Sequence, residues 1–191
     1  MPESPLRALI RTLQNAYSGE LAAAFAYHGH WNSVSDPEES ARIRQIEEEE
    51  WHHRELVGGM LRDLGSGPRR MREAVFWLIG RVLGAMCHVS GWFLPMYGAG
   101  RLERRNIVEY EDAARFALAC GHEELIECLL TMAEVEWDHE NYFRGRVTGH
   151  RLLRVFRLWD AAPAKETIRA AYIRIGTSPA PPSRAPASAA R

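Results

Sequence analysis

The sequence predicts an all-α protein: a bundle of four long helices with an extra apolar crossover segment and a disordered C-terminal tail. Three observations predict it. First, Ile43, Ile46, Glu50, His53, Val57 and Met60 are spaced 3, 4, 3, 4 and 3 residues apart. That is the period of an α-helix, and it sets a Glu-x-x-His pair inside an apolar stripe. Second, the arrangement recurs downstream, where Leu125, Leu129, Met132, Glu136, His139 and Phe143 make one face around Glu136-Trp137-Asp138-His139. Third, each pair is preceded by a helix-patterned segment with an inward acid of its own. Buried carboxylates and imidazoles are costly to desolvate without a partner, and a shared metal is the partner these two pairs imply.

Taken in order, Ser4-Pro5 marks a helix start, with serine as N-cap and proline at the first helical position. The face Leu6, Leu9, Leu13, Ala16, Glu20, Ala23 and Tyr27 then runs to about Trp31 with Glu20 as its one charge. Asp36-Pro37-Glu38-Glu39 caps a second helix and places acids at its positive end. Gly65 and Gly67-Pro68 stop it, and the short loop between the two helices makes them antiparallel neighbours.

From Ala74 to Gly100 the only formal charge is Arg81. Arg81, His88, Ser90 and Pro95 interrupt the run of about 20 apolar residues that a membrane-spanning helix requires. The segment is therefore expected as a buried crossover helix or hairpin, or as an apolar surface resting on a membrane. A third helix is expected over 101–120 with Gly121 as its cap, and a fourth from His122 to about Phe143. Arg151, Arg154 and Arg157 alternate with Leu152, Val155, Phe156 and Trp159 in a short basic amphipathic piece expected to cap the bundle. A further helical turn or two is expected around Glu166 to Ile173. One domain is expected over 1–175, followed by a Pro/Ala/Ser-rich tail over 176–191.

At 191 residues, with 46% hydrophobic and 26% charged, the chain is an ordinary globular mixture long enough for a sizeable core. A net charge of -1 and a pI near 6.7 give no overall attraction to nucleic acid. Cys87, Cys120 and Cys128 are odd in number and form no CxxC, so neither a disulfide framework nor a zinc ribbon is indicated. A reducing cytoplasm is expected, with no export signal at the N-terminus.

Glu20 lies 30 residues before Glu50 (50 − 20), and an acid of the third helix stands in the corresponding place before Glu136. Periodicity does not separate the candidates there. Glu109 shares a face with Leu102, Ala113, Phe116 and Cys120, and Glu111 with Ile107, Ala114 and Leu118. One glutamate from each of two helices and Glu-x-x-His from each of two others is the ligand pattern of di-iron and di-manganese carboxylate bundles. Four carboxylates nearly balance two divalent ions, and neutral imidazoles complete the set. Glu50 and Glu136 are expected to bridge, His53 to hold one ion and His139 the other. A single Glu-x-x-His arises by chance in a glutamate-rich helix. Glu49-x-x-His52 is such a match on a less apolar face, and it is expected toward solvent. Tyr17, Tyr27, Tyr110 and Tyr142 are expected as packing, and His28, His30 and His88 as surface or satisfied core residues.

The chain resembles the ferritin-like superfamily, and within it the demethoxyubiquinone hydroxylase family of quinone-modifying di-iron monooxygenases. Asn15-Ala16-Tyr17-Ser18-Gly19-Glu20-Leu21-Ala22-Ala23 looks like that family's Gly-Glu-centred first helix. Leu83-Gly84-Ala85 looks like the opening of its glycine-rich membrane-facing hairpin, and Val108-Glu109 like the Val-Glu of its third ligand helix. The similarity spans roughly 6–145. The family's histidines after the third-helix glutamate are replaced by Asp112-Ala113-Ala114-Arg115-Phe116, and its histidine-containing residues before Gly19 are also absent. The resemblance selects Glu109, which gives the metal set Glu20, Glu50, His53, Glu109, Glu136 and His139 with Glu20 and Glu109 terminal.

The resemblance further implies two iron ions, with manganese as the other metal that such ligands accept. It implies an O2-activating oxidoreductase inserting one oxygen atom into a ring carbon of a lipophilic, quinone-type substrate. A separate electron donor, a homodimer, and peripheral contact with the inner face of a membrane through residues 74–100 complete the expectation. The alternatives are a free-standing ferritin-like peroxidase, ferroxidase or metal-handling protein, and a helical bundle whose metal is structural and which serves a membrane or protein contact.

Overall fold

The computed structural model describes residues 3–176, and the fifteen that follow, with them all but the first residue of the expected tail, lie outside the described residues. The described residues form helices α1 (Pro5–Ser33), α2 (Pro37–Asp63), α3 (Arg70–Cys87), α4 (Phe93–Cys120), α5 (Ile126–Val147) and α6 (Glu166–Gly176). Short 3-10 turns at Glu123–Leu125 and Arg151–Arg154 complete them, and no strand occurs among the described residues. The expected caps are in place. Ser4 accepts from the Arg7 amide, and Asp36 accepts from the amides of Glu38 and Glu39 at 3.0 and 2.9 Å. Gly121 closes α4 at φ 81°, a left-handed conformation that glycine adopts without steric penalty.

α1 and α2 run antiparallel. Ser40 at the start of α2 donates to the Trp31 carbonyl at the end of α1, and Gln14 near the start of α1 donates to the Gly67 carbonyl beyond the end of α2. All six residues of the first predicted face on α2 are buried, and so are all six from Leu125 to Phe143. On α1 only Leu6 departs, at 40% exposure.

The core has two apolar halves. One gathers Leu9, Leu13, Val57, Leu61, Ala113, Leu129 and Met132, and the other Ala23, Ile43, Ile46, Phe93, Met96, Phe143 and Val147. Glu20, Glu50 and Glu136 fall between the two halves on their own helices, so apolar layers close off a polar one from both ends.

The segment 74–100 differs from a buried crossover. It is two elements: most of α3, and the first turns of α4, which begins at Phe93 well ahead of the expected 101. Only Gly80 and Gly84 of α3 are buried, and Met71, Val75, Trp77, Leu78, Val82 and Met86 are exposed. The contact with α1 depends on small residues. A Cβ on Gly29 would lie 2.3 Å from the Gly84 backbone, and one on Gly80 would lie 2.6 Å from the Ala22 carbonyl oxygen. Polar contacts fix the N-terminal half of α3. Ser18 Oγ donates to Glu73 at 2.5 Å, and Arg54 pairs with the same carboxylate. No helix among the described residues is long and apolar enough to cross a membrane.

The basic piece after α5 caps the bundle. Trp159 lies against Gly100 and donates to Glu140 at 2.7 Å, and Tyr97 donates to the Arg157 carbonyl at 2.6 Å.

The helix contact yields a paired prediction. Gly29→Ala puts a methyl into the Gly84 backbone at an overpacking cost of about 1–3 kcal/mol, outweighing the gain in helix propensity of about 1 kcal/mol. Gly98→Ala meets nothing within 4 Å and keeps that gain. Urea unfolding should show the first variant destabilised and the second at or above wild type.

Candidate metal centre

Four helices each send one carboxylate into the same enclosed layer. Glu20 comes from α1, Glu50 from α2, Glu103 from α4 and Glu136 from α5, with His53 and His139 one helical turn beyond Glu50 and Glu136. All six are buried, at 0 to 3% exposure, which removes the water that would otherwise solvate four acids. Their ligand atoms form two groups. Glu20, Glu50, His53 and Glu136 make one, and Glu50, Glu103, Glu136 and His139 the other, with the atoms of each group within 4.8 Å of one another. Glu50 and Glu136 belong to both, so the two groups are adjacent and share two carboxylates.

Five of the six expected residues are brought together. Glu109 is not among them, and Glu111 is also outside. This corrects the third-helix assignment. Glu109 is half-buried in a cavity of about 550 Å³ lined with Arg104, Arg105, Asp112 and Asp160, and burial there raises its carboxyl to about 7. Glu111 is half-buried beside Arg115.

Glu103 had a signal in the sequence. With α4 starting at Phe93, the residues Phe93, Met96, Gly100, Glu103, Ile107, Tyr110, Ala114 and Ala117 form one buried face. Their spacings of 3, 4, 3, 4, 3, 4 and 3 continue through the acid. A second signal is a repeat of glutamate and tyrosine seven residues apart, Glu20 with Tyr27 and Glu103 with Tyr110. Each tyrosine hydroxyl crosses to the other helix. Tyr27 donates to Glu103, and Tyr110 donates to Glu20. These two rings orient the terminal carboxylates and are not mere packing.

Electrostatics move the four carboxyls of the cluster in opposite directions. Burial, reinforced by the neighbouring acids, pushes the carboxyls of Glu50 and Glu103 well above the usual range, and burial also raises Glu20. Glu136 goes the other way. Burial opposes its charge, but the imidazoles of His139 and His53 beside it overcome that and hold its pKa low. His53 Nδ1 is 2.9 Å from Glu136 Oε1, and His139 Nδ1 is 3.6 Å from Glu136 Oε2 and 3.4 Å from Glu50. His139, whose charge burial alone would disfavour, is raised to about 9 by the carboxylates of Glu136 and Glu49 beside it.

The residues fit a bound metal ion. Buried polar atoms normally find partners, yet Glu20 Oε2, both Glu50 oxygens, Glu136 Oε2 and His139 Nδ1 have none. These five make up most of the unpartnered buried side-chain atoms among the described residues, and all five belong to the two groups.

Comparison with protein-family models, with curated proteins and with solved structures returns no match. The fold and site define a helical bundle with buried acid and histidine groups placed to hold metal.

Two outcomes test the geometry. Glu103→Ala should reduce anaerobic ferrous uptake below two ions per chain while Glu109→Ala leaves it unchanged, as read by metal analysis. Because the carboxyls and imidazoles must give up protons to ligate, uptake should acidify a weakly buffered solution. Affinity should rise with pH until His139 loses its proton near 9.

Proposed function

We propose that the chain is a ferritin-like, di-iron, O2-activating oxidoreductase that hydroxylates a lipophilic, quinone-type substrate. The observation that carries this reading is the pair of ligand groups sharing Glu50 and Glu136 in a sealed polar layer, with an apolar cavity one side chain away. That cavity, of about 430 Å³, lies between α1, α3 and α4 and is lined by Ala23, Ala26, Tyr27, His30, Leu83, Met86, Leu94, Pro95 and Leu102 among others. Tyr27 belongs to both places. Its ring faces the cavity and its hydroxyl is bonded to Glu103.

Iron held by Glu20, Glu50, His53, Glu103, Glu136 and His139 would supply redox electrons and open coordination positions for dioxygen. The chain supplies the rest. Glu50 and Glu136 would be ligands of both groups, the tyrosines orient the terminal acids, and the two apolar core halves exclude water. The reaction converts a substrate C–H, O2, two electrons and two protons into C–OH and water. A separate two-electron donor is therefore a required partner.

The cavity's size and lining support a ring-bearing apolar substrate. His30 offers it one polar anchor. Its Nε2 is buried without a partner, and burial lowers the imidazole to about 4, so it is neutral at physiological pH and available for hydrogen bonding to a ring oxygen substituent. The exposed apolar face of α3 borders the cavity through Leu83 and Met86 and would accept a lipid surface from which such a substrate is delivered. A peripheral place on the inner face of a membrane follows from the same reading.

Iron-loaded protein supplied with reductant, oxygen and candidate quinones should form hydroxylated product. Peroxide consumption or ferrous oxidation without product would replace this reading by a peroxidase or ferroxidase, and neither activity would leave a structural metal. Ala26→Phe should fill the cavity and abolish product formation while iron content and ferrous oxidation stay at wild-type levels.

A further inference from the structure

The two Glu-x-x-His pairs match at their inward positions and differ outside them, at His52 against Asp138 and at the residue before each glutamate. Glu49 immediately precedes Glu50, whereas the residue in the same place before Glu136 is Val135. The His139 ring turns Nδ1 to the cluster and Nε2 away from it, and Nε2 lies 2.6 Å from Glu49 Oε2. Glu49 is itself held in place. Gln45 donates to its other oxygen at 2.8 Å, and Arg42 lies 3.3 Å from Oε2. His53 also turns Nδ1 to the cluster, 2.9 Å from Glu136. Val135 has no polar side-chain atom to offer it, and the outer side of His53 borders a surface depression of about 310 Å³ shared by Val135, Glu49 and His52.

We propose, resting on the two-ion reading above, that Glu49 is a positioning residue that makes the two ion positions unequal. It locks His139 in the tautomer that leaves Nδ1 bare for an ion. The His53 position, without such a lock, binds its ion more weakly and exchanges it faster. A carboxylate on the outer N–H of a ligating imidazole fixes the ring and raises its basicity, and removing one typically costs about 10–100-fold in metal affinity. The difference between Glu49 and Val135 thus makes loading ordered, His139 first and His53 second.

The test is an anaerobic titration of the metal-free full chain with Co2+ alone. It is followed by visible absorption and by the metal-shifted imidazole N–H signals in proton NMR. Wild type should load in two steps. The tighter should bring up an N–H that exchanges slowly with solvent, and the weaker one that exchanges fast. Glu49→Leu should weaken the first step by about 10–100-fold and remove the slow signal. The second step, unchanged in the same molecules, is the control for folding. Glu49→Gln, which keeps an acceptor oxygen, should retain the slow signal. Equal affinities in wild type, unaltered steps in Glu49→Leu, or loss of the slow signal in Glu49→Gln would each overturn the proposal while leaving the two-ion reading intact. Fewer than two ions in wild type would reject both.

Discussion

The convergence of four carboxylates in one water-free layer is the constraint on which the rest of the structure depends. Unscreened acids at this separation repel strongly and lack the hydration that would offset their charge. Burial pushes the carboxyls of Glu20, Glu50 and Glu103 upward, which disfavours their charged forms, while two imidazoles hold the pKa of Glu136 down. That solution leaves five buried polar atoms unpaired. Two divalent ions would replace the protons and give each orphaned atom a partner at once. Folding and ligation thereby draw on the same free energy.

Each helix bears a particular demand because of that layer. Its inward acid has to arrive at a fixed height, with apolar residues above and below to seal it, and the 3 and 4 residue spacings through Glu50, Glu103 and Glu136 satisfy this. The terminal acids need orientation as well, since a carboxylate on a flexible side chain has more than one rotamer. Tyr27 and Tyr110 provide it reciprocally across α1 and α4, and both hydroxyls are consumed in doing so. Their pKa values, raised by burial and by the acids beside them, keep the donated protons in place.

The helical architecture, both Glu-x-x-His pairs and Glu20 were legible in the sequence because apolar periodicity surrounds each of them without interruption. Glu103 was not. With the third helix expected to start at 101, Glu103 falls in its first turn and loses Phe93, Met96 and Gly100, the half of its buried face that precedes it. Pro95 in fact falls in the first turn of α4, where a missing amide donor is harmless. Glu49 was missed for a different reason. Its own helix face is polar, and what draws it inward is His139, on a helix 90 residues away. No local pattern carries that information. The exposure of α3 was also beyond periodicity, because an apolar stripe says that a surface avoids water and not whether protein covers it.

The small residues of α3 connect packing to function. Gly80 and Gly84 let its backbone approach the backbone of Ala22 and Gly29 of α1 more closely than a Cβ would allow. Large α3 residues are therefore turned either outward, as Trp77, Leu78 and Val82 are, or sideways, as Leu83 and Met86 are, toward the space beside α4. Had α3 packed through leucines, its axis would stand farther off and its side chains would interdigitate with α1 and fill that space. The glycine contact thus sacrifices apolar burial along α3 and in return leaves an open, oily cavity ending at Tyr27, whose hydroxyl is already committed to Glu103. A ligand in that cavity would meet the cluster through a single rigid ring. That is the shortest path by which an apolar guest could influence a buried charged centre without admitting water to it.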